Sequence, residues 1–233
     1  MKYSEIIRLN HELEGKLEGA EYKVAILSNI MVHQSKDICE YLLRIESINT
    51  KVVIGEYDNI VQDSEKNQDS DAVVIFWEAC NFIDGLQYKI DLFSDKEFNG
   101  IVNKIKLEID IVLSALKNTS IVIINKFSSL IFDQFSLSDN NLRRLIDILN
   151  KHLKDSVRVN TRLVDVDGII SRLSIKSATD LRYYHSSKTL YSVEFYKEYF
   201  ENIKYFFFAA NGKTKKALIF DCDNTLWKGI LAE

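Results

Sequence analysis

The sequence predicts an α/β protein built on a three-layer parallel sheet with helices packed on both faces. Three observations carry that prediction. Short β-branched runs alternate with amphipathic helical stretches from Lys23 to Val164, the order a parallel sheet needs. Those runs are almost continuously apolar, as strands covered on both faces are. The 233 residues are 46% hydrophobic and 27% charged, which suits one large domain or one domain plus part of another. That balance excludes a disordered chain, a collagen-like chain and a disulfide scaffold.

Taken in order, the first twenty residues read as a helix, with Ile6, Ile7, Leu9, Leu13 and Leu17 near helical spacing. Lys23–Ser28 is the first strand, ending in the polar pair Ser28-Asn29. A helix is expected over about Ser35–Ser47, where Ile38, Tyr41, Leu42 and Ile45 share one side. Lys51–Ile54 gives a second strand, running into Gly55-Glu56-Tyr57-Asp58, and Asp71–Trp77 a third, ending at Glu78. A long amphipathic helix over about 94–117 precedes the fourth strand, Ser120–Ile124, which stops at Asn125. A helix near Ser138–Leu153 carries Leu142, Leu145, Ile146 and Leu149 on one face, and Val157–Val164 is the fifth strand, followed by Asp165 and Asp167. After Asp167 the pattern changes to serines, basic residues and aromatics. Ser192 then caps a helix to about Ala210, with Gly212 just beyond its end, expected as a lid or linker. The chain lacks proline altogether, so these boundaries rest on glycine, asparagine, aspartate and changes of period.

Open parallel sheets bind ligands outside the carboxyl ends of their strands. Ser28, Asn29, Glu56, Glu78, Asn81, Asn125, Asp165 and Asp167 are therefore expected to rim one crevice. The competing reading makes each of them a cap between a strand and the next helix.

Charge and composition exclude other classes. The net charge is -4, from 30 basic and 34 acidic residues, which gives no positive field for a nucleic-acid backbone. The basic cluster Lys213, Lys215 and Lys216 is short and reads as a solvated loop. The longest apolar runs, such as Tyr205–Ala210, fall far short of the roughly 20 residues that span a bilayer. The polar start does not read as a signal peptide, and Cys39, Cys80 and Cys222 show neither metal-like spacing nor a pairable even count. A cytoplasmic protein without nucleic-acid or membrane partners is expected.

The sharpest motif lies near the end. Ala217–Phe220 is an apolar run from which Asp221-Cys-Asp223-Asn224-Thr225 emerges, followed by Leu226, Trp227 and Gly229. A strand followed by D-x-D-x-T resembles motif I of the haloacid dehalogenase (HAD) superfamily of phosphotransferases. The resemblance implies roles: Asp221 as the carboxylate nucleophile that forms an aspartyl-phosphate, and Asp223 as the acid and base. It also implies Mg²⁺ held by Asp221 and Asp223, with Asn224 and Thr225 placed to hold the loop and contact phosphate.

The extended motif, DCDNTLWKGILAE after Gly212-Lys-Thr-Lys-Lys216, resembles the FkbH-like branch, subfamily IIIC. In that branch an N-terminal domain related to the SGNH hydrolases precedes the phosphatase module. Val24–Ile30, Gly55-Glu56-Tyr57 and the Asp180-x-Arg182-Tyr-Tyr-His185 segment sit where that architecture places comparable elements, more loosely than motif I. The resemblance thus divides the chain into a flavodoxin- or SGNH-like domain over 1–190, a linker helix over 191–213, and the first strand and motif I of a Rossmann-like HAD domain over 214–233. It implies a phosphorylated small molecule as substrate and an acyl carrier protein as partner.

Two departures shape the reading. Motifs II to IV of such a module do not occur before Glu233, so the chain is read as a fragment, a truncated product or the N-terminal part of a longer protein, inactive by itself. The first domain also lacks the Gly-Asp-Ser nucleophile motif, and Asp180 and His185 stand five residues apart rather than three. Two alternatives stay open: a carrier- or sugar-binding module without chemistry, and an esterase using Ser28 with His185 as base in a crevice shared with Asn29.

Overall fold

The computed structural model describes residues 1–132 and 140–213. Five parallel strands form one sheet: β1 (Tyr22–Ser28), β2 (Thr50–Ile54), β3 (Ala72–Phe76), β4 (Ile121–Asn125) and β5 (Thr161–Val164), in the order β2-β1-β3-β4-β5. Register is continuous across the sheet: Ala25 lies beside Val53 and Val73, and Val73 beside Val122. The order reverses between β1 and β3, which opens a crevice at the carboxyl ends of those two strands.

Helices cover both faces. They are α1 (Tyr3–Leu13), α2 (His33–Arg44), α3 (Ile60–Lys66), α4 (Leu86–Lys89), α5 (Asp95–Ala115), α6 (Asn141–Ser156), α7 (Val166–Leu173), α8 (Ile175–Ala178), α9 (Leu181–Ser187) and α10 (Val193–Ala210). Alternate strand residues feed two cores, as the period of a strand demands. Val24, Ile26, Val74, Phe76 and Ile123 face α1, α2, α7 and α10. Ala25, Leu27, Val73, Ile75 and Ile124 face α3, α5 and α6. All five residues of β3 are fully shielded, which is why the sequence there is a run and not an alternation.

Helix ends follow their local chemistry. Ser94 and Glu97 form a reciprocal capping box at the start of α5. The Ser192 hydroxyl accepts the Phe195 N–H at 3.2 Å, and Gly212 takes a positive φ of 66° just past α10, as the sequence predicts for both ends.

The structure differs from the sequence expectations in four places. Helix α1 stops at Leu13, because Gly15 and Gly19 take positive φ and lead the chain directly into β1. Strand β5 begins at Thr161; Val157–Asn160 is a loop in which Val159 is 94% exposed, although its alternating pattern mimics a strand. The stretch after Asp167, for which the sequence names no element, continues α7 from Val166 and then forms α8 and α9, which are too short to show a period. Residues 193–210, expected as a linker, form a layer of the domain. Helix α10 packs against α2, α7 and α8 and over β4, burying Phe195, Tyr196, Tyr199, Phe200, Ile203 and Phe207. Phe76 on the sheet meets Tyr196 and Tyr199 at ring-centroid distances of 5.7 and 4.7 Å.

Candidate functional site

The carboxyl ends of β1, β2 and β3 converge on a network of buried amides. Ser28 ends β1 at 4% exposure, and its hydroxyl donates to the Ile30 carbonyl at 2.6 Å. The next residue, Asn29, stitches β1 to β3. Its Oδ1 accepts the Glu78 N–H at 2.7 Å, and its Nδ2 donates to the Glu78 carbonyl at 2.9 Å. Asn81, on the turn after β3, donates from Nδ2 to the Asn29 carbonyl and, at 2.9 Å, to the Tyr57 hydroxyl.

The turn after β2 is held by a buried acid. Asp63 on α3 accepts the Glu56 N–H at 2.6 Å and the Asn59 amide at 3.0 Å, and pairs with Lys66 at 3.1 Å. Gly55 is required here for space: a Cβ would stand 2.6 Å from Asp63 Oδ2 and 2.9 Å from Leu27. The fixed turn delivers the Asp58 N–H to the Ser28 carbonyl at 3.1 Å. A cavity of about 180 Å³ opens beside this network, lined by Asn29, Asp58, Trp77, Phe82, Lys104 and Glu108 among others. Burial pushes the Asp58 carboxyl up, and Lys104 opposes that shift.

Behind this wall lies a second polar group, covered by α10. Glu78 is 4% exposed, and burial pushes its carboxyl up to about 7, partly offset by Tyr191 and Asn125 nearby. Glu78 Oε1, Asn125 Nδ2 and the hydroxyls of Tyr191 and Tyr196 are all buried without a hydrogen-bond partner among the described residues. Asn125 Oδ1 accepts the Tyr199 hydroxyl at 2.7 Å.

Of the remaining rim residues, Asn125 at the end of β4 belongs to the Glu78 group, while Asp165 and Asp167 after β5 have partners of their own. Lys126 pairs with Asp165 at 3.4 Å, and Ser128 donates to Asp167, whose carboxyl is raised by burial.

The Asp180–His185 segment closes over the β3 side of the crevice. Tyr184, buried, donates from its hydroxyl to the Cys80 carbonyl at 3.0 Å, and Lys188 pairs with Asp84 at 2.9 Å. Asp180 caps α9 and binds Arg182 at 2.7 Å, so its carboxylate serves the helix end. His185 is exposed and packs its ring edge against Tyr184. No hydrogen bond joins His185 to Ser28 or to Asp180 among the described residues. His11 and His33 are exposed, while His152 is partly covered and binds Asp110 at 2.9 Å. Ser156 also meets the same His152 Nε2, at 3.4 Å, so this trio is a helix-to-helix contact and not a relay through both ring nitrogens.

Asp221, Asp223, Asn224 and Thr225 lie outside the described residues. Among the described residues, no group of three or more His, Cys, Asp or Glu is arranged to hold a metal ion, and no helix is long and apolar enough to cross a membrane.

The sequence reading named Ser28, Asn29, Glu78 and Asn81 as rim residues from their places at strand ends. It missed Asp63, because a single acid on a short helix has no periodic signal, and it missed the tyrosines of α10 that face Glu78.

Fold and crevice together define a three-layer α/β protein with a parallel sheet and a switch point between β1 and β3. No protein-family model and no curated protein matches the chain. Among solved structures, it is similar to the N-terminal part of the protein BF1531 from Bacteroides fragilis, a structure containing a phosphatase domain complexed with Mg. That match has a TM-score of 0.69 at 17% identity, and covers 100% of this chain and 63% of the other. This chain thus spans less than two thirds of that structure. It is also similar to the lipase Lip_vut3 from a goat rumen metagenome, with a TM-score of 0.57 at 10% identity over 81% of this chain and 97% of that one. At these identities the likeness is one of fold.

Proposed function

We propose that this chain is the N-terminal portion of an FkbH-like, Mg²⁺-dependent phosphatase or phosphotransferase. Its α/β domain precedes a phosphatase module that starts at about residue 214 and carries motif I at Asp221. The observation that carries the reading is the Asp221-Cys-Asp223-Asn224-Thr225 motif after an apolar run. The fold likeness to a phosphatase-containing N-terminal part, spanning this whole chain, supports it.

In this reading Asp221 attacks phosphorus, the bond to the leaving oxygen breaks, and Asp223 protonates that oxygen. Water activated by Asp223 then cleaves the aspartyl-phosphate, returning the carboxylate. The Asp221 carboxylate and the Asp223 backbone carbonyl, both hard oxygen donors, would hold Mg²⁺, which supplies charge neutralisation at the phosphoryl group when bound. The substrate is a phosphorylated small molecule, and an acyl carrier protein is the partner of the transfer variant.

The test is phosphate release from an aryl phosphate, with and without Mg²⁺, for this chain and for a version extended past Glu233. Activity that appears only in the extended form, needs Mg²⁺ and is lost in Asp221→Asn is expected. Release that persists in Asp221→Asn overturns the reading.

A second reading applies to the α/β domain by itself. The Ser28 hydroxyl is committed to the Ile30 carbonyl and His185 is exposed on α9, which favours recognition of a carrier or sugar over ester hydrolysis.

A further inference from the structure

A second concavity lies at the opposite end of the sheet, at the amino ends of β4 and β5. It measures about 580 Å³, within the range of small-molecule sites, and is lined by Lys117, Arg158, Arg162 and Asn160 against Ile121 and Phe206. Three cations and, among the described residues, no acid line it, in a chain whose net charge is -4. None of the three forms an ion pair among the described residues, whereas Lys126, Arg182 and Lys188 at the crevice end each do. Like charges gathered without counter-charge repel one another, and a cleft lined by one sign concentrates the field toward an anion.

The cleft is also partly pre-arranged. Arg162 Nη1 donates to the Val159 carbonyl at 2.8 Å and to the Thr161 carbonyl at 3.0 Å. These bonds fix the guanidinium plane without neutralising it and leave its other N–H groups for a ligand. The Asn160 amide is bound to the Leu116 and Thr119 carbonyls at 3.0 and 2.7 Å, which ties the loop carrying Arg158 to the loop carrying Lys117. Opposite the cations stand half-buried Phe206 and the small residues Ala209 and Ala210 of α10.

We infer that this cleft binds an organic phosphate. The phosphate sits between Arg158, Arg162 and Lys117, and the carbon part lies against Phe206 and Ile121. The inference rests on these described residues alone and does not depend on the phosphatase reading.

The test is calorimetric titration of the full chain with phenyl phosphate in excess EDTA at low salt, compared with inorganic phosphate and with phenol. Phenyl phosphate is expected to bind most tightly, and added salt to weaken it. Arg158→Gln and Arg162→Gln are each expected to weaken binding about tenfold, Arg162→Lys less, and Lys51→Gln at the far edge of the sheet not at all. These side chains are exposed, so thermal melting is expected to stay unchanged and to separate lost binding from lost folding. No detectable binding, equal affinity for inorganic phosphate or phenol, or undiminished binding in both arginine variants overturns the inference. Binding lost in Asp221→Asn but kept in the arginine variants also overturns it and moves the phosphate to the motif at Asp221.

Discussion

The side-chain amide of Asn29 hydrogen-bonds both the N–H and the carbonyl of Glu78, at 2.7 and 2.9 Å, so one side chain extends the β1–β3 ladder beyond its last backbone rung. Both residues are buried, so removing the amide takes away the partner of a buried N–H and of a buried carbonyl. Asn29→Ala is expected to lower stability by about 2–4 kcal/mol, since it strands a buried donor and a buried acceptor. Asn29→Asp keeps the acceptor, loses the donor, and sets a carboxylate against the Glu78 carbonyl, at a cost at least as large. Urea unfolding checks both; a midpoint within error of the parent protein counts against the role assigned to the amide.

Glu78 makes stability depend on pH. Its folded carboxyl titrates near 7 against an ordinary 4.5, so the folded state binds the proton more tightly than the unfolded state. Stability from this group is therefore full below about pH 4.5 and falls as pH rises toward 7, by roughly 3 kcal/mol over that window. Asp167 and Asp58 shift in the same direction, so the test is a difference between variants. Glu78→Gln is expected to flatten the slope between those pH values and to gain stability above pH 7. Parallel curves for parent and variant would refute this.

Gly55→Ala places a methyl 2.6 Å from the carboxylate that holds the Gly55-Glu56-Tyr57 turn. Asp63 must then release the Glu56 N–H or the strand end must shift. A loss of about 1–3 kcal/mol is expected by thermal melting. The Asp58-to-Ser28 backbone bond is expected to exchange its amide proton faster. Unchanged exchange at Asp58 would mean the turn does not rely on Asp63.

Ser28→Ala removes a hydroxyl whose one hydrogen bond among the described residues goes to the Ile30 carbonyl. Phosphate release by the extended protein is expected to be unaffected, and stability to fall by about 1 kcal/mol. Loss of an ester-cleaving activity in this variant would instead assign the crevice to hydrolysis.

How far the sequence reaches can be seen element by element. Strands β1 to β4 are legible because each is a short, largely apolar run, and β3 reads most easily since both its faces are buried; β5 is half polar, so its start reads four residues too early. Helices α3, α8 and α9 are hidden by their length, at or below seven residues, where no period can be counted. Asn29 and Glu78 are each legible as strand-end polar residues. Their pairing is not, because 49 residues separate them and only the sheet order brings them together. The grouping of Glu78 with Tyr191 and Tyr196 is further from view still, since those tyrosines fit equally well into the pattern of a linker.

The placement of α10 sets the smallest piece of this chain that can stand by itself. A boundary at residue 190 looks natural in the sequence, yet it would strip Phe195, Tyr196, Tyr199, Phe200, Ile203 and Phe207 from the sheet. The bared face would include Phe76, Val74 and Ile123, an apolar surface that invites aggregation. A product cut near 190 is expected to be insoluble, whereas one ending just past Gly212 keeps its roof.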